Sequence, residues 1–338
     1  MRHRLPIALT LTLTIAFACT ACAKSREVID PAVAAKDPDF LIQGEYFGEG
    51  VLGEGEKQKL GAQVVALGNG RFDVKLLAGG LPGAGWSKGD DAIMLKAETD
   101  ETGKVTLGGH DLTGSIDDGV LSVADKDGNQ LIELKQTLRH SPTLGKQAPD
   151  KATVLFDGQQ AQKYAKEQWH QGHTTDMKTL LSGCRSTYQF SPEGYTLHLE
   201  FRTSWMPEAR GQGRSNSGVY IHESYECQVL DSFGLEGRNN ECGGFYKIKA
   251  PAVNMALPPL QWQTYDIDFT PAKYDASGKK VENARVTVRH NGVVIHDDLE
   301  LPHHTAGGKP ERPEPRGVFL QGHGNKVQYR NIWTLPQK

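Results

Sequence analysis

The sequence predicts an all-β protein of two modules: a small β-rich domain, then an antiparallel two-sheet sandwich of the jelly-roll type. Three observations carry this. Runs with apolar residues at every second position recur along the chain, the clearest being "YTLHLEFRTSW" at 195–205. A period of two puts Tyr195, Leu197, Leu199 and Phe201 on one face and Thr196, His198, Glu200 and Arg202 on the other. Turn signals such as "GNG", "ETGK", "DDG", "KDGN" and Asn291-Gly292 separate the runs at hairpin spacing. Only "GQQAQKYAKEQW" carries a helical pattern, and a weak one.

In chain order, residues 1–22 read as an export signal. Arg2 and Arg4 precede the apolar run "LPIALTLTLTIAFA", too short to span a bilayer, which ends in the small-residue tract "CTAC". Thr20 and Ala21 before Cys22 resemble a lipoprotein cleavage box, with Cys22 as the lipidated N-terminus; a plain cut at the Ala21-x-Ala23 pattern is the competing reading. The expectation is an exported protein of a bacterial cell envelope, facing the periplasm and held to the membrane by a lipid anchor. A polar, proline-punctuated linker is expected at 23–36, the accessory β domain at 37–147 and the sandwich at 148–338. "RHSPTLGKQAPDK", with two prolines and no periodicity, marks the boundary.

A chain of 338 residues with 38% hydrophobic content can hold two domains with real cores. Its net charge of -3, with both signs interspersed, gives no basic footprint for phosphates, so no nucleic-acid partner is expected. Cys184, Cys227 and Cys242 remain in the folded part. Export permits a Cys227–Cys242 disulfide, but spacing does not establish it, and buried free thiols fit equally well.

The chemistry concentrates in "YECQVLDSFGLEGRNNECGGFY", residues 225–246. Strand periodicity puts Glu226 and Gln228 on one face and Asp231 on the other. A β-bulge at Val229-Leu230 would return Asp231 to the face of Glu226. The spacing also looks like the E-x-D-x-x-E signature of retaining jelly-roll glucanases, which need two carboxyls roughly 5 Å apart. Here Gln228 replaces the central acid, and an amide cannot relay a proton.

Several stretches together, "LFDG" at 155–158, "LEFRTSW" at 199–205, "NSGVYI" at 216–221, "YECQVLDS" at 225–232, "PPLQWQTYDIDF" at 258–269 and "LQGHGNKVQYRNIW" at 320–333, are similar to the 3-keto-disaccharide hydrolase, or 3-keto-glucoside lyase, family over nearly the whole second module. The resemblance implies a concanavalin-like jelly roll acting on 3-keto-glycosides. A ketone at C3 acidifies the C2 proton, a base removes it, and the C1 oxygen leaves; later addition of water gives net hydrolysis. The resemblance further implies Glu226, His323 and Asp231 as catalytic candidates, with Asp231 positioning a partner or binding a divalent cation that bridges the sugar O2 and O3. Gln228, Glu200, Arg202, Asn216, Gln321 and Arg330 fall on the matching motifs as substrate-binding candidates, with Trp262 as a sugar-stacking platform.

Blander readings stand beside these. Glu200 and Arg202 could form a solvated cross-strand ion-pair element, and His323, between glycines, could merely cap its loop. "GGLPGAGW" at 79–86 presents Trp86 either to a sugar or to a core, and a core plug is favoured. "GQGRSNSG" lacks the lysine and the helix of a phosphate loop. A retaining glycoside hydrolase acting on unoxidised glucans and a non-catalytic carbohydrate-binding surface module are the alternative functions.

Overall fold

The computed structural model describes residues 26–52 and 56–337. The export signal and Cys22 lie outside the described residues. The first module is a closed antiparallel barrel of eight strands in up-and-down order, Gly44–Gly50 closing the ring by pairing both Gln58–Gly68 and Gln130–Thr137. Inward side chains such as Tyr46, Leu60, Val64, Phe72, Leu95, Leu121 and Leu134 are buried and fill the interior. An eight-stranded barrel is just wide enough for its own side chains to fill.

The second module is the expected two-sheet jelly roll. Its seven-stranded sheet contains Tyr195–Arg202, Gln263–Thr270, Ala284–His290, Val293–Leu301 and Gln328–Pro336, and its five-stranded sheet contains Ser217–Ile221, Tyr225–Val229 and Phe319–Leu320. Tyr195, Leu197, Leu199 and Phe201 point into the core between the sheets, as the alternation predicts. At the predicted hairpin, Asn291 and Gly292 take φ values of 49° and 80°, the left-handed pair that a two-residue turn requires. The helix is short, Ala161–Glu167. Cys184, Cys227 and Cys242 are buried free thiols.

Two local expectations are corrected. From Arg26 onward the segment read as a free linker is docked. Val28 exchanges backbone hydrogen bonds with Trp205, Asp30 caps the turn Pro31–Ala34, and Asp37 accepts from the Trp205 indole at 3.1 Å. The bulge is also absent: the register of Tyr225–Val229 against Ser217–Ile221 runs without a shift to Ser217↔Val229. Val229 and Leu230 are adjacent and both apolar because the chain leaves the sheet between them, and both side chains enter the core.

The modules share packing. Trp205 and Leu260 of the sandwich belong to the barrel's apolar cluster, while Leu77 and Trp86 of the barrel belong to the sandwich's. Trp86 is therefore a plug at the junction, with the Lys75 ammonium 5.1 Å from its ring centre.

Candidate active site

Ser217–Ile221 and Tyr225–Val229 are joined by a tight turn in which His222 and Glu223 adopt positive φ of 55° and 54°. That turn sets the register Gly218↔Gln228 and Tyr220↔Glu226. With Val219, Ile221, Cys227 and Val229 in the core, strand alternation sends Gly218, Tyr220, Glu226 and Gln228 to the other face. The neighbouring strand pairs Phe319 with Tyr220, and Gln321 follows it, donating its backbone N–H to the Gly218 carbonyl at 2.8 Å. Tyr220, Glu226, Gln228 and Asn216 are almost fully buried, whereas Phe319, Gln321, Gln212 and Tyr246 are partly exposed. The former make a floor and the latter a rim.

Glu226 lies across Gly218. A β-carbon at position 218 would stand 2.4 Å from Glu226 Oε1, so glycine makes room for the carboxyl. Burial raises the Glu226 pKa to about 7, against the opposing effect of the Tyr220 hydroxyl beside it. A carboxyl poised near neutrality can take up and release a proton at working pH. Tyr220, whose own pKa burial and Glu226 push far up, stays a neutral phenol. It donates to the Ala306 carbonyl at 3.1 Å and accepts from Gln321 Nε2 at 3.3 Å.

Amides surround the carboxyl. Turned with its nitrogen toward the strand, Gln228 donates to the Ser217 carbonyl at 2.7 Å and to Glu226 Oε1 at 3.1 Å. Turned the other way, it donates to Gln212 Oε1 at 3.0 Å. The second orientation would set the Gln228 oxygen against the Ser217 carbonyl oxygen 2.7 Å away, acceptor against acceptor, so the first is the one its surroundings satisfy. Asn216 donates to Gln212 Oε1 at 3.1 Å. Among the described residues, Asn216 Oδ1 and Gln321 Oε1 are buried with no partner. Buried unpaired acceptors are costly, and sugar hydroxyls would satisfy them.

The other candidates are distributed differently. Asp231 does not join Glu226: its Oδ2 accepts from Arg214 Nε at 2.7 Å, and it lines a cavity at the barrel–sandwich junction. His323 is exposed on the turn between Gln321 and Asn325, the latter accepting from the Asn216 N–H at 3.0 Å. That turn borders the rim.

Glu200, Arg202 and Arg330 belong to the seven-stranded sheet, on its face turned away from the shared core, and Trp262 immediately precedes the strand Gln263–Thr270. Glu200 accepts from the Gly145 N–H at 2.6 Å, Arg330 Nε at 2.7 Å and Asn331 Nδ2 at 2.9 Å. Burial alone would raise its pKa; these bonds and His198 outweigh it and hold the group at about 2. His198 Nδ1 lies 2.9 Å from Asp266, which also accepts from Thr143 at 2.7 Å. The Arg330 and Arg202 guanidiniums lie 4.0 and 4.8 Å from the Trp262 ring centre. Through Glu200, Asp266 and Asn331 this polar seam fastens the inter-module linker to the sheet; Glu200 pairs with Arg330 and not with Arg202, and both Glu200 and Arg202 are buried. Among the described residues, no three His, Cys, Asp or Glu side chains converge as a metal cluster.

Sequence reasoning missed Tyr220, Gly218 and Gln212. The first two were within reach: "NSGVYI" and "YECQV" flank a three-residue turn, and pairing them puts Tyr220 opposite Glu226 and Gly218 opposite Gln228.

Residues 151–335 match the 3-keto-alpha-glucoside-1,2-lyase-like domain. Two crystal structures from Parabacteroides distasonis ATCC 8503, each described as a "putative glycosyl hydrolase", resemble the chain. One is 25% identical over 56% of this chain and 85% of its own, with a TM-score of 0.49. The other is 15% identical over 51% of this chain and 84% of its own, with a TM-score of 0.34. No curated protein matches the chain. With a matching domain that spans more than half of its length, the protein belongs to the family of 3-keto-alpha-glucoside-1,2-lyase-like domains and is a carbohydrate-active enzyme.

Proposed function

We propose that the protein cleaves 3-keto-glycosides by removing the proton at C2 and expelling the oxygen substituent from C1. In this reaction the C2–H pair becomes the C1–C2 double bond as the C1–O bond breaks. The proton passes to Glu226 and the leaving oxygen acquires another; water adding across the double bond completes net hydrolysis. The observation that carries the reading is the single buried carboxyl of Glu226, raised to about 7, with no second carboxyl from the sequence motif beside it. A retaining glucanase needs a close pair; an elimination beside a ketone needs one base and donors for the enolate oxygen.

Tyr220, beside Glu226, would give its hydroxyl proton to that oxygen in place of the Ala306 carbonyl, and Asn216 and Gln321 would offer their unpartnered acceptors to ring hydroxyls. His323, on the rim turn, is assigned to the leaving oxygen. A divalent cation would find oxygen ligands in Asn216 Oδ1 and Gln321 Oε1 and would supply charge to the O2–O3 edge, with Glu226 left free as the base. The export signal and Cys22 make this an envelope enzyme tethered by lipid.

A substrate deuterated at C2 tests the reaction. Proton abstraction predicts a primary isotope effect on kcat/KM; direct displacement at C1 predicts none.

A further inference from the structure

One row of side chains crosses the five-stranded sheet on the face that carries Glu226. Pairing runs Glu226↔Tyr220, Tyr220↔Phe319, Phe319↔Arg185 and Arg185↔His170, from the strand Tyr225–Val229 at one edge to Trp169–His170 at the other. Their chain neighbours Cys227, Val219, Leu320, Cys184 and Trp169 are in the core, so alternation sends the whole row to the opposite face. Exposure grows along it: Glu226 and Tyr220 are buried, Phe319 and Arg185 are partly exposed, and His170 is exposed. With strands about 4.8 Å apart, Phe319 stands about 10 Å along the row from Glu226, and Arg185 about 14 Å.

The other sides of Glu226 are occupied. Beyond the sheet edge lie residues 243–246, where the Gln228 N–H bonds to the Gly244 carbonyl at 2.9 Å and the Tyr246 N–H to the Glu226 carbonyl at 3.3 Å. Toward the turn, Thr305 Oγ1 accepts from the Glu226 N–H at 2.8 Å, and the Ala306 carbonyl accepts from the Tyr220 hydroxyl at 3.1 Å. The row toward Phe319 is thus the way out for a substituent on C1. Gln321 and His323, which serve the ring hydroxyls and the leaving oxygen in the proposed reaction, follow Phe319 in the chain.

Phe319 and Arg185 are held as a pair. The guanidinium lies 3.8 Å from the Phe319 ring centre, which is 5.4 Å from that of Tyr220, and Arg185 Nη1 donates to Glu223 Oε2 at 3.3 Å. Lys309 pairs with the same oxygen. Among the described residues, Glu223 is the only hydrogen-bond partner of the Arg185 side chain, which is 40% exposed. Its Nε and Nη2 therefore remain free to donate. A guanidinium so fixed presents donors in one plane with little freedom to lose on binding. The adjacent Glu223 carboxylate matches its charge, which favours neutral hydroxyl acceptors over a second carboxylate. Beside it, the partly exposed Phe319 ring offers apolar contact to the C–H groups of a ring.

We propose that Phe319 and Arg185 form the subsite for the leaving group and select a hydroxylated ring, a second sugar joined to C1 of the keto unit, whose hydroxyls accept from Arg185. This inference rests on the lyase reading. It makes Arg185 a specificity-determining residue that grips the part of the substrate that departs.

Two substrates test it on the intact two-module protein: a 3-keto-disaccharide of two glucose units, and methyl 3-keto-glucoside, whose leaving group is too small to reach Arg185. Wild type is expected to prefer the disaccharide in kcat/KM. Arg185→Ala is expected to reduce that preference about tenfold, the margin of one hydrogen bond to a charged group. Arg185→Lys, which keeps the charge and loses the planar fork, is expected to fall between the two. Because the readout is a ratio of two substrates, a general loss of activity in a variant cancels. No preference in wild type, or a preference unchanged in Arg185→Ala, would overturn the subsite alone. Turnover of neither substrate by wild type would overturn the lyase reading and the subsite with it.

Discussion

The Glu226 carboxyl rests on the backbone of Gly218, so close that a methyl group at 218 would meet Oε1 at 2.4 Å and Cγ at 2.9 Å. Gly218→Ala is therefore expected to push the carboxyl off its position with little room to repack. Misplacing a reacting group by an ångström costs about 100-fold, so kcat should fall by that order while the circular dichroism spectrum is retained. A variant with unaltered kcat would detach Glu226 from the chemistry.

Glu226→Gln keeps the shape and removes the base. Turnover is expected to drop by about 10²- to 10⁴-fold. In the wild type, kcat/KM should rise with pH through about 7 as the carboxyl ionises. A profile whose rising limb lies below pH 5 would contradict the raised pKa.

The same group makes a stability prediction of opposite direction. Its folded-state pKa of about 7 lies above the ordinary 4.5, so the folded state holds the proton more tightly. This contribution is fully present below pH 4.5 and is lost as pH rises through 7. Glu226→Gln should gain stability relative to wild type on going from pH 4.5 to pH 8 in chemical denaturation. A pH-independent difference would count against it.

Glu200 behaves in the reverse sense. Held at about 2 against an ordinary 4.5, it contributes stability that is present above pH 4.5 and lost as pH falls toward 2. Glu200→Gln should lower the melting temperature at pH 7 and leave kcat near wild type, because the side chain grips Gly145 and Arg330 on the sheet opposite Glu226. Loss of kcat without loss of stability would restore Glu200 to the substrate site.

Asp231→Asn should act similarly through Arg214. Removing one partner of a buried ion pair costs about 3–5 kcal/mol, which denaturant titration would read. At a temperature where the variant is folded, its kcat should stay within about tenfold of wild type, short of the loss expected for a general acid or base. A larger loss would return Asp231 to the catalytic set.

Much of the fold was legible because strand alternation and turn chemistry are local. "YTLHLEFRTSW" and Asn291-Gly292 each state their conformation within a few residues. Glu226 and Gln228 were legible as a face for the same reason. Asp231 was misread because one strand's periodicity does not show where that strand stops; the chain leaves the sheet after Val229, so no bulge was needed to explain two adjacent apolar residues. Glu200 and Arg202 were placed with the substrate because a motif does not say which sheet its strand joins. That depends on pairing with residues 263–270 and 328–336, far along the chain. The junction cavity was illegible altogether, since its walls come from segments more than about 110 residues apart in the two modules, such as Leu67 and Arg214.

The most direct test of the account compares a nitrophenyl glucoside with its 3-keto form, each incubated with wild type and with Glu226→Gln. The account expects release of nitrophenol from the 3-keto sugar by wild type alone, with the unoxidised glucoside intact. Cleavage of the unoxidised glucoside at a comparable rate would contradict it.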